Sequence, residues 1–324
     1  MGAAWCLSSI AADYEWAMRS SPDAAKVHFS ISRREPRNNW QSSNDVPWSA
    51  FRGITADQLD RQQTGVKFRL VRDAGTLHCD GQFYGGRGIG TFQFEPSRQF
   101  SSELVRLGYQ APDSEQQFTM AIMDVSLEFA RGAHDAGAQA TTKQLVEMRI
   151  HGLTLDYIRE VRSLGYTQLT ARDYIEMRIH GVKPDFLRYL KNAGYTVSAR
   201  DAIELRIHGV NQELIEELKA AGYRVTPKEV VEMRIHGVSP AYIKELNSFG
   251  FKPSSRELVE LRIHGVSTDF IRETRSLGYK FDTKELTQLR IHGVNGSYLK
   301  KLQSAGYKHL TASQIQQLRI HGID

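Results

Sequence analysis

The chain has 324 residues, 40% of them hydrophobic and 24% charged, with a net charge of +5; that apolar content is enough for collapse and excludes bulk disorder. No stretch approaches the roughly 18 consecutive apolar residues of a membrane span. Two cysteines, Cys6 and Cys79, are too few for a disulfide framework or a thiolate metal cluster. Acids at Asp13 and Glu15 and the lack of a basic-then-apolar leader point to a soluble, cytoplasmic protein. Residues 1–137 carry 14 Lys+Arg against 16 Asp+Glu, and residues 138–324 carry 28 against 21. The excess positive charge therefore belongs to the C-terminal part, where an anionic partner is one reading.

Residues 1–95 read as a β-rich domain. Leu7, Ile10, Ala11, Tyr14 and Met18 fall at helical spacing and predict a short leading helix over 7–18. Residues 26–32 alternate at period two, as a strand does. A loop holding Pro47, Trp48 and Gly53 follows. Segments 66–72, 76–83 and 88–94 read as three more strands, joined by short turns at Asp73-Ala74-Gly75 and Tyr84-Gly85-Gly86-Arg87, for an antiparallel sheet of about four strands. The glycine-rich run at 85–90 joins two strands and opens no helix, so it lacks the context of a phosphate loop. Asp73, His78 and Asp80 are the polar residues on which an enzyme reading would have to rest.

From residue 96 onward the chain is repetitive. Arg-Ile-His-Gly stands at 149–152, 178–181, 206–209, 234–237, 262–265, 290–293 and 319–322. A near-constant period of 28–29 residues marks a repeat architecture. A second stop, Gly followed by Tyr or Phe, recurs about half a period away, as in Gly250-Phe251. Two glycine stops per period predict two short helices. In the unit 239–265, Ser239 is an N-cap with Pro240 at the first helical position. Ser254 with Glu257 three residues on is a capping box, and Leu258, Leu261 and Ile263 are expected on the buried side of the second helix. Worn copies extend upstream: Ala121-Ile122-Met123-Asp124 stands 28 residues before the first signature, and Phe100 to Gly108-Tyr109 matches Phe270 to Gly278-Tyr279. The overall reading is an α+β chain: a β-rich domain at 1–95, then an α-solenoid at 96–324 of about eight helix–turn–helix repeats, degenerate over 96–137 and with full signatures over 138–324. Gln316 and Gln317 replace the Val259 and Glu260 of an inner repeat, as suits a terminal cap and a natural C-terminus.

Two ladders invite a functional reading. The signature places Arg149, Arg178, Arg206, Arg234, Arg262, Arg290 and Arg319, with His151, His180, His208, His236, His264, His292 and His321, at successive helix ends. Stacked helices lie about 8–10 Å apart, too far for one metal with bonds of ~2.1 Å. These residues are therefore expected to serve helix ends, by bonding orphan carbonyls and complementing the dipole. The second ladder is basic and lies on the first helices: Arg159, Arg162, Arg188, Lys191, Lys219, Lys244, Arg272, Arg275 and Lys300. Pairs three apart share a face, so this row is the candidate surface for a partner or an anion. Tyr157, Phe186, Tyr242, Phe270 and Tyr298 lie on the apolar stripe and are expected in the core. No metalloprotease, Walker or nucleophile-elbow motif is present, and nothing calls for a cofactor.

The unit RIHGVSPAYIKELNSFGF at 234–251 resembles a repeat found in bacterial proteins, some of which carry it behind a membrane metallopeptidase domain of the beta-lactam-sensing antirepressor type. The stretch 66–96 is similar to a segment that accompanies such repeats, so the resemblance covers about 66–322. It implies a sensing or scaffolding accessory region. It implies no peptidase activity, since the zinc-binding motif and the membrane helices are missing. The resulting expectation is a non-enzymatic scaffold that binds a protein or peptide, the alternative being a solenoid that holds RNA or single-stranded DNA on the first-helix cations.

Overall fold

The structure, a computed structural model, describes residues 13–35 and 38–323. Seven strands form one antiparallel sheet: β1 (Asp13–Ser20), β2 (Lys26–Glu35), β3 (Asn38–Pro47), β4 (Phe51–Arg52), β5 (Gln63–Arg72), β6 (Gly75–Tyr84) and β7 (Arg87–Pro96). Their order is β3-β2-β1-β7-β6-β5-β4. The two predicted hairpins pair as expected, β5 with β6 and β6 with β7. The expected leading helix is corrected: residues 13–18 are strand, and residues 7–12 lie outside the described residues. Tyr14 and Met18 are four apart, which satisfies helical spacing and strand alternation equally. Trp16 decides, because it is buried on the same face as Met18 while Ala17 and Arg19 are exposed. The expected loop around Pro47 is the end of β3, followed by a 3-10 turn at Trp48–Ala50 and the two-residue β4.

Trp16 organises the sheet core. Its ring meets Phe68 edge-on at 4.9 Å and Phe83 at 6.1 Å, a geometry that the ring quadrupole favours. Its indole N–H donates to the Asp80 carbonyl at 3.2 Å. The indole lies against Gly81, Gly88 and Gly90, where any Cβ would come within 3 Å of it. These glycines thus serve close packing in the strands, and the run at 85–90 is a hairpin.

Sixteen helices of nine residues each follow among the described residues, eight pairs in all. They are α1 (Arg98–Arg106), α2 (Ser114–Ile122), α3 (Leu127–Asp135), α4 (Thr142–Ile150), α5 (Leu155–Ser163), α6 (Ala171–Ile179), α7 (Pro184–Asn192) and α8 (Ala199–Ile207). The remainder are α9 (Gln212–Ala220), α10 (Pro227–Ile235), α11 (Pro240–Ser248), α12 (Ser255–Ile263), α13 (Thr268–Ser276), α14 (Thr283–Ile291), α15 (Gly296–Ser304) and α16 (Ala312–Ile320). The stops behave as the sequence predicts. Gly250 has φ +80°, with Gly250 N–H donating to Asn247 O and Phe251 N–H to Leu246 O. That pair of bonds closes a left-handed stop. Capping boxes open the second helices, as at Ser254 with Glu257 and Thr226 with Glu229.

The chain divides into two compact units, residues 1–163 with 167–175, and residues 164–166 with 176–324. In the first, the sheet and the leading helices share a core. Phe118 of α2 is ringed by Tyr14, Trp40, Phe92 and Phe94 at 5.3–5.9 Å. Gln117, buried beside it, donates its amide to the carbonyls of Ala74 and Ser97 at 3.2 and 2.7 Å. The Asp73 carboxylate accepts from the Leu127 N–H at the start of α3. Asp124, at φ +53° where later repeats carry glycine, binds Arg72 at 2.8 Å and faces Arg149 at 3.6 Å. In the second unit, α7, α9, α11, α13 and α15 pack in succession, as do α8, α10, α12, α14 and α16. First helices thus stack on first helices and second on second, the arrangement of a helical solenoid.

Candidate interaction surface

Each signature divides its residues between holding the repeats together and facing water. In α12, Leu258, Val259 and Leu261 are buried, but Ile263 is 53% exposed. The expectation that Ile263 lies on the buried side is corrected. Two residues are about 200° of helix, so Leu261 and Ile263 face opposite ways. Every copy repeats this. Ile150 is 56% exposed in the first unit, and Ile179, Ile207, Ile235, Ile263, Ile291 and Ile320 are 47–57% exposed in the second. Recurrence at one motif position separates this row from isolated surface apolar residues, which are ordinary.

The signature arginines turn inward. Arg149, Arg206, Arg262, Arg290 and Arg319 lie over Phe129, Phe186, Tyr242, Phe270 and Tyr298 at 4.7–5.4 Å, each ring belonging to the first helix of the same repeat. Their guanidiniums also bond carbonyls one repeat back: Arg149 to Met123, Arg234 to His208 and Arg290 to Gly265 at 3.1–3.3 Å. Orphan carbonyls at a helix end are thereby satisfied by the next repeat. Arg178 is half-buried at the end of α6. His151, His208, His236, His264, His292 and His321 are the C-cap residues of their helices, and the His180 N–H bonds Glu176 O at 3.0 Å. The His292 ring meets the Gln316 amide at 2.7 Å, which gives the polar replacement in α16 a partner. The stripe aromatics Tyr157, Tyr242, Phe270 and Tyr298 are buried and Phe186 is partly so. Burial pushes the Tyr242 hydroxyl up to about 12, and it donates to Val266 O.

The first-helix ladder separates into two rows. The outer positions meet carboxylates in three repeats: Arg159 with Asp156, Arg188 with Asp185, and Arg272 with Asp269 and Glu245. Lys244 and Lys300 are exposed members of that row. The inner positions reach back one repeat. Arg162 donates to Ala136 O, Lys191 to Leu164 O and Arg275 to Phe249 O. Gln303 does the same to Leu277 O at 2.8 Å, with no charge. Lys219 lies 5.7 Å from the rings of Tyr189 and Tyr195 and 3.7 Å from Glu216. Burial and the Glu216 carboxylate, which accepts from its hydroxyl, hold the Tyr189 phenol far above its usual range.

A further set of cations, absent from the sequence reading, stands at the second position of six successive second helices. These are Lys143, Arg172, Arg200, Lys228, Arg256 and Lys284, all exposed. Each lies seven residues before the exposed isoleucine, about 20° away around the helix. Glutamates or glutamines at the sixth position share that face, and Arg256 pairs with Glu260 at 3.4 Å. A cation in the first turn opposes the helix dipole, so helix stability alone does not account for the row.

Of the polar residues of the sheet, His78 and Asp80 line one open cavity on a shared face of β6, where His78 pairs with Glu95 at 2.8 Å and Asp80 with Lys67 at 3.5 Å, while Asp73 lies apart and is engaged by α3. Cys79 is buried, which raises its thiol well above the usual range. Among the described residues no group of His, Cys, Asp and Glu is placed to hold a metal ion, and no helix is long and apolar enough to cross a membrane. No protein-family model matches the chain, and a search of curated proteins finds none similar to it.

Proposed function

We propose that the chain is a non-enzymatic, partner-binding scaffold, and that its partner is a protein segment lying along the outer face of the second helices. The exposed isoleucine row carries this reading. Covering a half-exposed isoleucine contributes about 1 kcal/mol at ~25 cal/mol per Å², and a row of them sums along one continuous face. Neighbouring isoleucines stand about one helix-packing distance apart, ~8–10 Å. A segment with apolar side chains at every third residue of an extended left-handed helix repeats at ~9.3 Å, which matches. The flanking cations and glutamates would set register and orientation.

The alternative, RNA or single-stranded DNA on the first-helix cations, has less support. Three of the four inner cations are bonded to carbonyls and three of the five outer ones to carboxylates, and nucleic-acid affinity needs cations that can be given to phosphates. Selection of displayed random peptides on the intact protein tests the scaffold reading. Expected is an enriched set with apolar residues at regular spacing, whose binding is lost in Ile235→Lys/Ile263→Lys and kept in Arg272→Glu/Arg275→Glu. The opposite pattern, or salt-sensitive RNA binding with no peptide enrichment, would overturn it.

A further inference from the structure

The last repeat departs from the others in its charge. Residues 286–323 contain Arg290, Lys300, Lys301, Lys308 and Arg319 and not one Asp or Glu. Ser297 stands where Asp156, Asp185 and Asp269 pair with the outer cation of earlier first helices, and Lys301 stands where Glu245 and Glu273 do. Glu273, the acid of the preceding repeat, is turned against Gly296 at the start of α15, where a Cβ would collide with its carboxylate.

The turn after α15 is one of the longer ones: four residues lie between Gly306 and the cap Thr311, as between Gly165 and Thr170, against three between Gly250 and Ser254. Unlike the 166–169 turn of the same length, it holds a non-glycine residue, His309, in a left-handed conformation, φ +58°, which costs energy and persists only where the surroundings impose it. In earlier repeats the tyrosine after the stop glycine donates its hydroxyl to the carbonyl before the next cap: Tyr166 to Val197 and Tyr223 to Pro253. Tyr279 is the counterpart here, and its buried hydroxyl has no partner. Beside it lies an open cavity of about 650 Å³ lined by Tyr279, Lys300, Gln303, Ser304, Lys308 and His309, together with Leu277 and Gly278. No carboxylate lines it.

We propose that this cavity binds a small phosphorylated anion, held by Lys300 and Lys308 with the His309 ring adding a hydrogen bond. Two ammonium groups on a flexible stem suit a compact multiply charged anion as point charges. The cavity is large enough for more than the phosphate itself, being within the range of small-molecule sites. The site is independent of the isoleucine face and stands or falls without it.

Isothermal titration of the full chain with pyrophosphate at low ionic strength is the test. The expected result is saturable one-to-one binding that weakens about tenfold or more in Lys300→Gln/Lys308→Gln, with amide shifts in the free-to-bound NMR comparison centred on residues 307–310. Lys301→Gln, which removes one charge from the same helix outside the cavity, should stay within about twofold of the parent by the same arithmetic. All replaced lysines are exposed, so unchanged melting is expected and checks the fold. Absence of saturation up to about 1 mM, or equal weakening by Lys301→Gln, would overturn the site and leave only diffuse charge.

Discussion

The sheet and the helical repeats solve the same burial problem in opposite ways. In the sheet, each core residue has one place: Trp16 fits because three glycines on β6 and β7 make room for it, and those glycines are 65–74 residues away in sequence. In the repeats, each core position is filled many times over by neighbours 28 or 29 residues apart, and the links between copies are modular. Arg162, Lys191, Arg275 and the uncharged Gln303 all cap a carbonyl one repeat back. A position that accepts arginine, lysine and glutamine is specified by hydrogen-bond donation, and its charge carries no message. The isoleucine of the signature is the reverse case. Its side chain contributes least to packing, yet it does not vary among the seven signatures.

Three experiments sharpen this contrast. Trp16→Ala should have the largest effect, a loss of about 3–5 kcal/mol for deleting a buried aromatic, read as early unfolding of the first unit in urea. A loss under about 1 kcal/mol, the level of an ordinary surface change, would show that the glycine-lined core repacks. Within one signature, Leu261→Ala should cost about 2–5 kcal/mol. Ile263→Ala, two residues on, should stay within about 0.5 kcal/mol, while impairing peptide capture. Equal costs would break the division between packing and surface.

The smallest effect concerns acid. The carboxyls of Glu229 and Glu257 are held below their usual range, chiefly by the backbone N–H groups of Thr226 and Ser254. A lowered native value means their contribution is complete above the ordinary glutamate range and is lost as pH falls through the native value. Glu229→Gln/Glu257→Gln should therefore lower the stability of the second unit modestly at neutral pH and leave it unchanged at low pH, which flattens the acid limb of its stability curve. An unaltered acid limb would assign acid sensitivity to other groups.

Helix boundaries, stops and caps were legible in the sequence because they are local. A capping residue acts on an N–H three positions away, and a glycine stop is closed by residues five apart, so pattern and structure coincide. The sheet was only half legible. The β5–β6 and β6–β7 hairpins rest on short turns, whereas β1 joins β7 by pairing across 68–76 residues. Tyr14 and Met18 fitted helix and strand alike, and pairing with β2 and β7, which buries Trp16, chose between them.

The sequence by itself determined the repeat, its period and its two-helix unit, since backbone hydrogen bonds and caps operate within a few residues. Only the tertiary structure decided which signature residues face water. Stacking rotates Leu261 inward and Ile263 outward, draws the arginines over the rings of their own first helices, and commits most first-helix cations to carbonyls or carboxylates. Exposure is a property of neighbours in space, and a period in the sequence fixes those neighbours only once the copies have packed.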